Sequence, residues 1–220
     1  MPRKGLFSEG QSTKALEPGM TNSNRSVLIE GISKLFNNPD HSDVKVYIGS
    51  HELAAHSVVL VTQSPFFQKA LSENFREGKD KQFHFEEGSP HAHWRVFEYL
   101  YTGDYTEEPI QVLCTQDDDE LLKDVRVYVT ADFFMLDDLK QQALERFKSK
   151  LDILWVSELF VDCIREVYAS TTPSDNGLRG AVVKTAQRHL VELWKRKAYR
   201  DLLSEGGDFV VDLMGTLCGS

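Results

Sequence analysis

The chain has 220 residues, enough to bury one sizeable core. Its hydrophobic share of 41% and charged share of 27% are those of an ordinary globular protein. A net charge of -9 argues against general binding to nucleic acid or to an anionic membrane, because both attract basic surfaces.

Residues 1–26 are rich in Gly, Ser, Thr, Asn and Pro and read as a disordered tail without an apolar signal-peptide core. Order is expected from Val27. Leu28, Ile32 and Leu35 recur at helical spacing, with Ile29 and Phe36 beside them, which predicts an amphipathic helix. Asn37-Asn38-Pro39-Asp40 ends it, since proline disfavours helix in the residue before it.

DVKVYIG then alternates Val44, Val46 and Ile48 with Lys45 and Tyr47, the pattern of a strand with one buried face. Gly49-Ser50 turns it into a partner strand over HELAAH. Asp43, His51 and His56 crowd this stretch and invite a catalytic or metal reading. The apolar run from Ser57 to Thr62 fits either helix or strand.

Ser64-Pro65 is a helix start, with Ser as N-cap and Pro in the first turn, and FFQKALSENF is expected as its body. Residues 81–86 read as a third strand around Phe83 and Phe85. His91 to Tyr101 is helical, with Trp94, Phe97 and Tyr101 on one face and Gly103 as its stop. The loop from Thr106 ends in Asp117-Asp118-Asp119-Glu120. That run reads as solvated surface ahead of the next helix, and it lacks the glycine-centred spacing of a calcium loop.

Everything beyond reads helical. Leu121 to Phe133 is one helix. Asp137 is expected to cap another that holds Leu139, Ala143, Leu144, Phe147 and Leu151. Trp155 to Val167 follows, then a long helix from Leu178 to about Lys197, then a short one around Phe209 to Met214. In KTAQRHLVELWKRKAYR, Leu190, Leu193 and Trp194 are expected to face the helical core. The fold class is therefore α+β, a small sheet capped by helices and followed by an all-helical extension.

No motif supports chemistry. His51, His56, His84, His91 and His93 are scattered. His91 and His93, two apart on a helix, do not share a face. The three cysteines, Cys114, Cys163 and Cys218, form no CxxC pair, which suits a reducing compartment. Nucleophile elbows and phosphate loops are absent from the sequence. No cofactor, metal or catalytic role is expected, and no apolar run reaches the roughly 20 residues of a membrane span.

HSDVKVYIGSHELAAHSVVLVTQSPFFQKAL resembles the opening of a BTB/POZ domain. Asp-Val stands at the strand start and a histidine before the helix, followed by V-L and S-P-x-F. VFEYLYTGDY and VYVTADFFMLDDLKQQALERF are similar to the family's later signatures. The resemblance covers residues 42–151. Together with the lead-in helix and the terminal helices, it suggests a fungal-type member with a short helical extension. It implies a domain over 27–151 with its core at 42–151, an extension over 152–220, and an intracellular, non-catalytic, protein-binding role.

The resemblance further implies a homodimer built on Leu28, Ile29, Ile32, Leu35, Phe36, Val44 and Val46. It makes Asp43, His56 and Gly103 marks of the fold rather than a site. Phe75 and Glu77 match the apolar-x-Glu triplet by which cullin-recruiting members bind, so an adaptor of a cullin-based ubiquitin ligase is a second reading. The chain departs from the family where Ser57 replaces a basic residue after the histidine, and where Phe133-Phe134 replaces Lys-Tyr.

Overall fold

The computed structural model describes residues 22–72 and 75–219, with side chains from Val27 onward. The expected tail lies outside the described residues up to 21, and its expected end at 26 falls within the first helix. The elements in order are α1 (Asn22–Ser33), β1 (Val44–Ile48), β2 (His51–Ala55), α2 (Ser57–Gln63), α3 (Pro65–Ala70), α4 (Arg76–Asp80) and β3 (Gln82–Phe85). There follow α5 (Pro90–Thr102), a 3₁₀ turn (Gln111–Leu113), α6 (Glu120–Phe133), α7 (Asp137–Leu154) and α8 (Phe160–Ser170). The last four are α9 (Asn176–Arg188), α10 (Leu190–Trp194), α11 (Lys197–Glu205) and α12 (Asp208–Cys218).

The sheet has the order β2-β1-β3. β1 pairs antiparallel with β2, Val46 opposite Leu53, as the Gly49 turn with its positive φ of 57° permits. β3 lies parallel to β1, Val46 opposite Phe83, and the chain reaches it through α2, α3 and α4. Val44, Val46 and Ile48 point inward and are buried, each contributing about 2 kcal/mol of apolar burial.

Local signals set most helix ends. Ser64 accepts a bond from Phe67 N at the start of α3. Ser89 does the same for Ala92 N with Pro90 behind it, and Gly103, at φ 77°, closes α5 by donating to Tyr99 O. Asp119 caps α6 through Leu121 N.

Several expectations are corrected. The first helix ends at Ser33, and Leu35 and Phe36 sit in the turn beyond it. The body of α3 stops at Ala70, and Arg76–Asp80 forms a separate turn of helix. Leu136, not Asp137, holds the cap position of α7. The long helix expected from Leu178 is broken at His189 and again at Arg196, whose extended backbone (ψ 130°) starts α11. Leu193 is buried, but Trp194, one step around the helix, is 56% exposed. A single apolar cluster runs from the sheet through α8, α9, α11 and α12. The boundary expected between residues 151 and 152 therefore falls inside α7.

Candidate protein-interaction surfaces

α1 leans on α5 through its C-terminal end. The Phe36 ring meets Trp94 edge-on at 5.3 Å and Tyr101 at 5.7 Å, and Ser33 Oγ donates to Tyr101 O at 3.4 Å. Ile32, Leu35 and Phe36 are half-buried against the core. One turn earlier, Val27, Leu28 and Ile29 are 67%, 52% and 49% exposed. The sequence stripe thus divides into an inward half and an outward half.

Val44 and Val46 do not join this surface, a correction to the expected interface. Both side chains are buried, and β1, being central, has strands on both sides. They have no free edge and no exposed face from which to reach another molecule.

Asp43 and His56 form a framework. Asp43 accepts bonds from Ser57 N at 2.7 Å and Ser57 Oγ at 2.6 Å, pinning the start of α2 to the start of β1. Partial burial pushes the Asp43 carboxyl up, but the two bonds from Ser57 outweigh it and hold the group below its ordinary range. Ser57, where the family often has a base, thus supplies the partner itself. His56 Nε2 lies 2.9 Å from Asp40 O, and Tyr101 Oη sits 3.1 Å from His56 Nδ1 while accepting from His56 N at 2.8 Å. With its hydrogen bonds committed to the fold, this histidine is not free for chemistry.

The other histidines are dispersed. His51 lies edge-on to Trp94, His84 stacks on Tyr47, and His93 stacks on Phe85. Burial pushes the His93 imidazole below its ordinary range, only partly opposed by its bond to Ser89 O. Among the described residues no three His, Cys, Asp or Glu side chains gather in a metal-holding arrangement. Cys163 is buried in α8, where burial pushes its thiol well up and away from nucleophilic reactivity.

Phe75 and Glu77 do come together. They line a groove of about 550 Å³ between α3, α4 and β3, with Phe66, Phe85 and Met135 on its walls. Phe75 is 41% exposed and Glu77 is at the rim, so an apolar anchor and a charge face the same opening.

The acidic run, expected in solvent, is turned inward. Arg95 on α5 is fully buried. Its guanidinium makes a two-pronged bond to Asp117 (2.9 and 2.6 Å) and donates to Thr106 O and Glu108 O. Asp118 receives Ser89 Oγ and Arg126, while buried Lys123 donates to Glu107 O and Glu120. Burial pushes the Asp117 carboxyl up, yet Arg95 prevails and holds it below its ordinary range. The signal in the sequence was an arginine between Trp94 and Val96, inside an apolar helix, with an unexplained acidic run downstream.

A three-stranded mixed sheet under a helical cap, with Asp43 and His56 locking strand to helix, defines a small α+β domain. The BTB/POZ domain model matches residues 32–151, more than half of the chain, and the chain belongs to the BTB/POZ family. It is similar to Kelch-like protein 40 of Xenopus tropicalis, 27% identical over 40% of this chain and 14% of that protein. It is also similar to TD and POZ domain-containing protein 2 of Mus musculus, 23% identical over 54% of this chain and 39% of that one. The chain thus spans well under half the length of these relatives. The solved BTB domain of human gigaxonin is 17% identical, with a TM-score of 0.42, over 62% of this chain and 98% of that one. No described helix is long and apolar enough to cross a membrane.

Proposed function

We propose that this chain is a non-catalytic protein-interaction module that pairs with a second copy of itself through α1. The observation that carries the reading is the outward half of that helix. Val27, Leu28 and Ile29 stand in solvent next to residues that already pack at home. Exposed apolar side chains grouped on one turn favour a partner surface. Membership of the BTB/POZ family supports the same reading. On this reading the chain acts inside the cell, residues 27–151 are the interaction domain, and residues 152–220 are a helical extension of the kind fungal members carry.

Light scattering on a size-exclusion column tests it. The chain should elute with the mass of two copies over a range of concentrations, and the double variant Leu28→Glu/Ile29→Glu should elute as one copy while staying folded. A concentration-independent monomer in the unaltered chain would end the reading.

A second reading, a cullin adaptor, is favoured by the groove that places Phe75 beside Glu77. Glu77→Arg should abolish pull-down of a cullin without altering the mass in solution. Unchanged capture would remove this reading.

A further inference from the structure

The basic segment from Lys184 to Arg200 lines no part of the Phe75 groove, and neither proposed role uses it. On α10, Leu193 turns inward and is fully buried, while Val191 and Trp194, three residues apart on the opposite side, are 68% and 56% exposed. His189 stays in helical register, since its N–H reaches Thr185 O and its own carbonyl accepts from Leu193 N. The exposed face of α9 therefore continues onto α10, carrying Lys184, Arg188, Val191 and Lys195 in sequence.

Below this face a cleft of about 400 Å³ runs between α7 and α9, with Lys148, Lys184 and Arg188 on its walls. Gly180 also lines it. A glycine inside a helix costs stability relative to alanine, and no heavy atom lies within 4 Å of where its Cβ would stand. Packing within the chain does not require a glycine there. It leaves that part of the cleft without a side chain.

The charge on this face is unbalanced. Arg188 pairs with Asp152, Lys148 with Glu145 and Lys197 with Asp201. Lys184, Lys195, Arg196 and Arg200 make no ion pair among the described residues. Arg196 donates to Ser157 O, and Arg200 donates to the main-chain carbonyl of Trp194, which keeps the Arg200 guanidinium at the end of α10 that carries the exposed tryptophan. The result is an apolar pair rimmed by cations on a chain whose net charge is -9.

We propose that this face, from the α7/α9 cleft to Trp194, is a docking site for an acidic segment of a partner protein. The segment would set an apolar side chain on Val191 and Trp194 and its carboxylates against Lys184, Lys195 and Arg200. An exposed Trp beside arginine, with charge at the rim, is the composition that concentrates binding energy at protein interfaces. The alternatives fit less well. A nucleic-acid backbone carries a charge at every step and could not avoid Glu192, exposed on the same short helix and without an ion-pair partner among the described residues, whereas a peptide can set a neutral residue there. A lipid surface would need a broader apolar face than two side chains.

The test is selection of random peptides displayed on phage against the full chain. It is run in parallel against Trp194→Ser and against the double variant Lys184→Glu/Lys195→Glu. All the altered positions are exposed, so both variants should unfold at the same urea concentration as the parent. The selected peptides should carry Asp or Glu around an apolar residue. Their affinity should fall at least tenfold in each variant and weaken as salt is raised. Selection of peptides without acidic residues, or of peptides that bind both variants equally, would overturn the proposal. So would failure to enrich any sequence. A labelled single-stranded oligonucleotide and phosphatidylserine vesicles complete the experiment. Tighter binding of either one than of the selected peptides would overturn it as well.

Discussion

Two regions are fastened to the same helix, α5, by opposite means. The loop from Thr106 to Asp119 is held by charge. Arg95, without solvent contact, grips Asp117 and two loop carbonyls, and Glu98 accepts from Thr106 N at 2.8 Å. α1 and the turn after it are held by aromatic contact, Phe36 lying between Trp94 and Tyr101. The ionic latch is deep and has one geometry, so losing one partner strands the other in a low-dielectric interior. The aromatic contact is shallow and leaves a turn of apolar side chains in water. The first region is thus built to stay closed, and the second has surface left over for a partner.

The largest effect should come from the latch. Arg95→Leu should destabilise the chain by about 3 kcal/mol in urea unfolding, because it removes the two-pronged partner of Asp117 and leaves only His91 and the more distant Lys123 beside it. A loss below about 1 kcal/mol would mean that the loop is held elsewhere, and the contrast between the regions would fail. The latch also has a pH signature. A carboxyl whose folded pKa is depressed adds stability above its ordinary value near 4, and that stability is lost as pH falls toward the folded value. Stability should therefore drop on acidification below about pH 4, and Asp117→Asn should flatten that drop while lowering stability at neutral pH.

Next in size is the aromatic contact. Phe36→Ala should cost about 2 kcal/mol, below the range for a fully buried phenylalanine, since Phe36 is only half-buried. Ser57→Ala, which removes one of the two bonds to Asp43 at the edge of solvent, should cost about 1 kcal/mol. The smallest effect on stability should be that of Leu28→Glu/Ile29→Glu, within about 0.5 kcal/mol, although this is the change expected to separate the two copies. If that variant instead lost stability as Phe36→Ala does, both halves of α1 would belong to the core.

Much of this was legible along the chain. Alternation in DVKVYIG placed β1 with its inward face, Gly103 marked the end of α5, and Leu139, Ala143, Phe147 and Leu151 outlined the buried side of α7. Asp43 and His56 were readable as framework through the family resemblance, but the bonds from Ser57 and Tyr101 that explain them were not. Phe75 and Glu77 could be named from a triplet, while the groove that joins them depends on β3 and Met135, distant in sequence.

The sequence by itself determined the elements whose signals are local. Those are periodic apolar positions, caps, and turn residues, because each acts through neighbours a few residues away. Only the tertiary structure decided which polar and apolar residues face water. Asp117 is inward because Arg95 waits there, and Leu28 and Ile29 are outward because α5 is already covered by Phe36. Trp194 is outward because Leu193, its neighbour on the same turn, takes the buried place. A side chain's own polarity states only a preference. Burial depends on whether a partner from elsewhere in the chain satisfies it, and that partner is set by long-range packing.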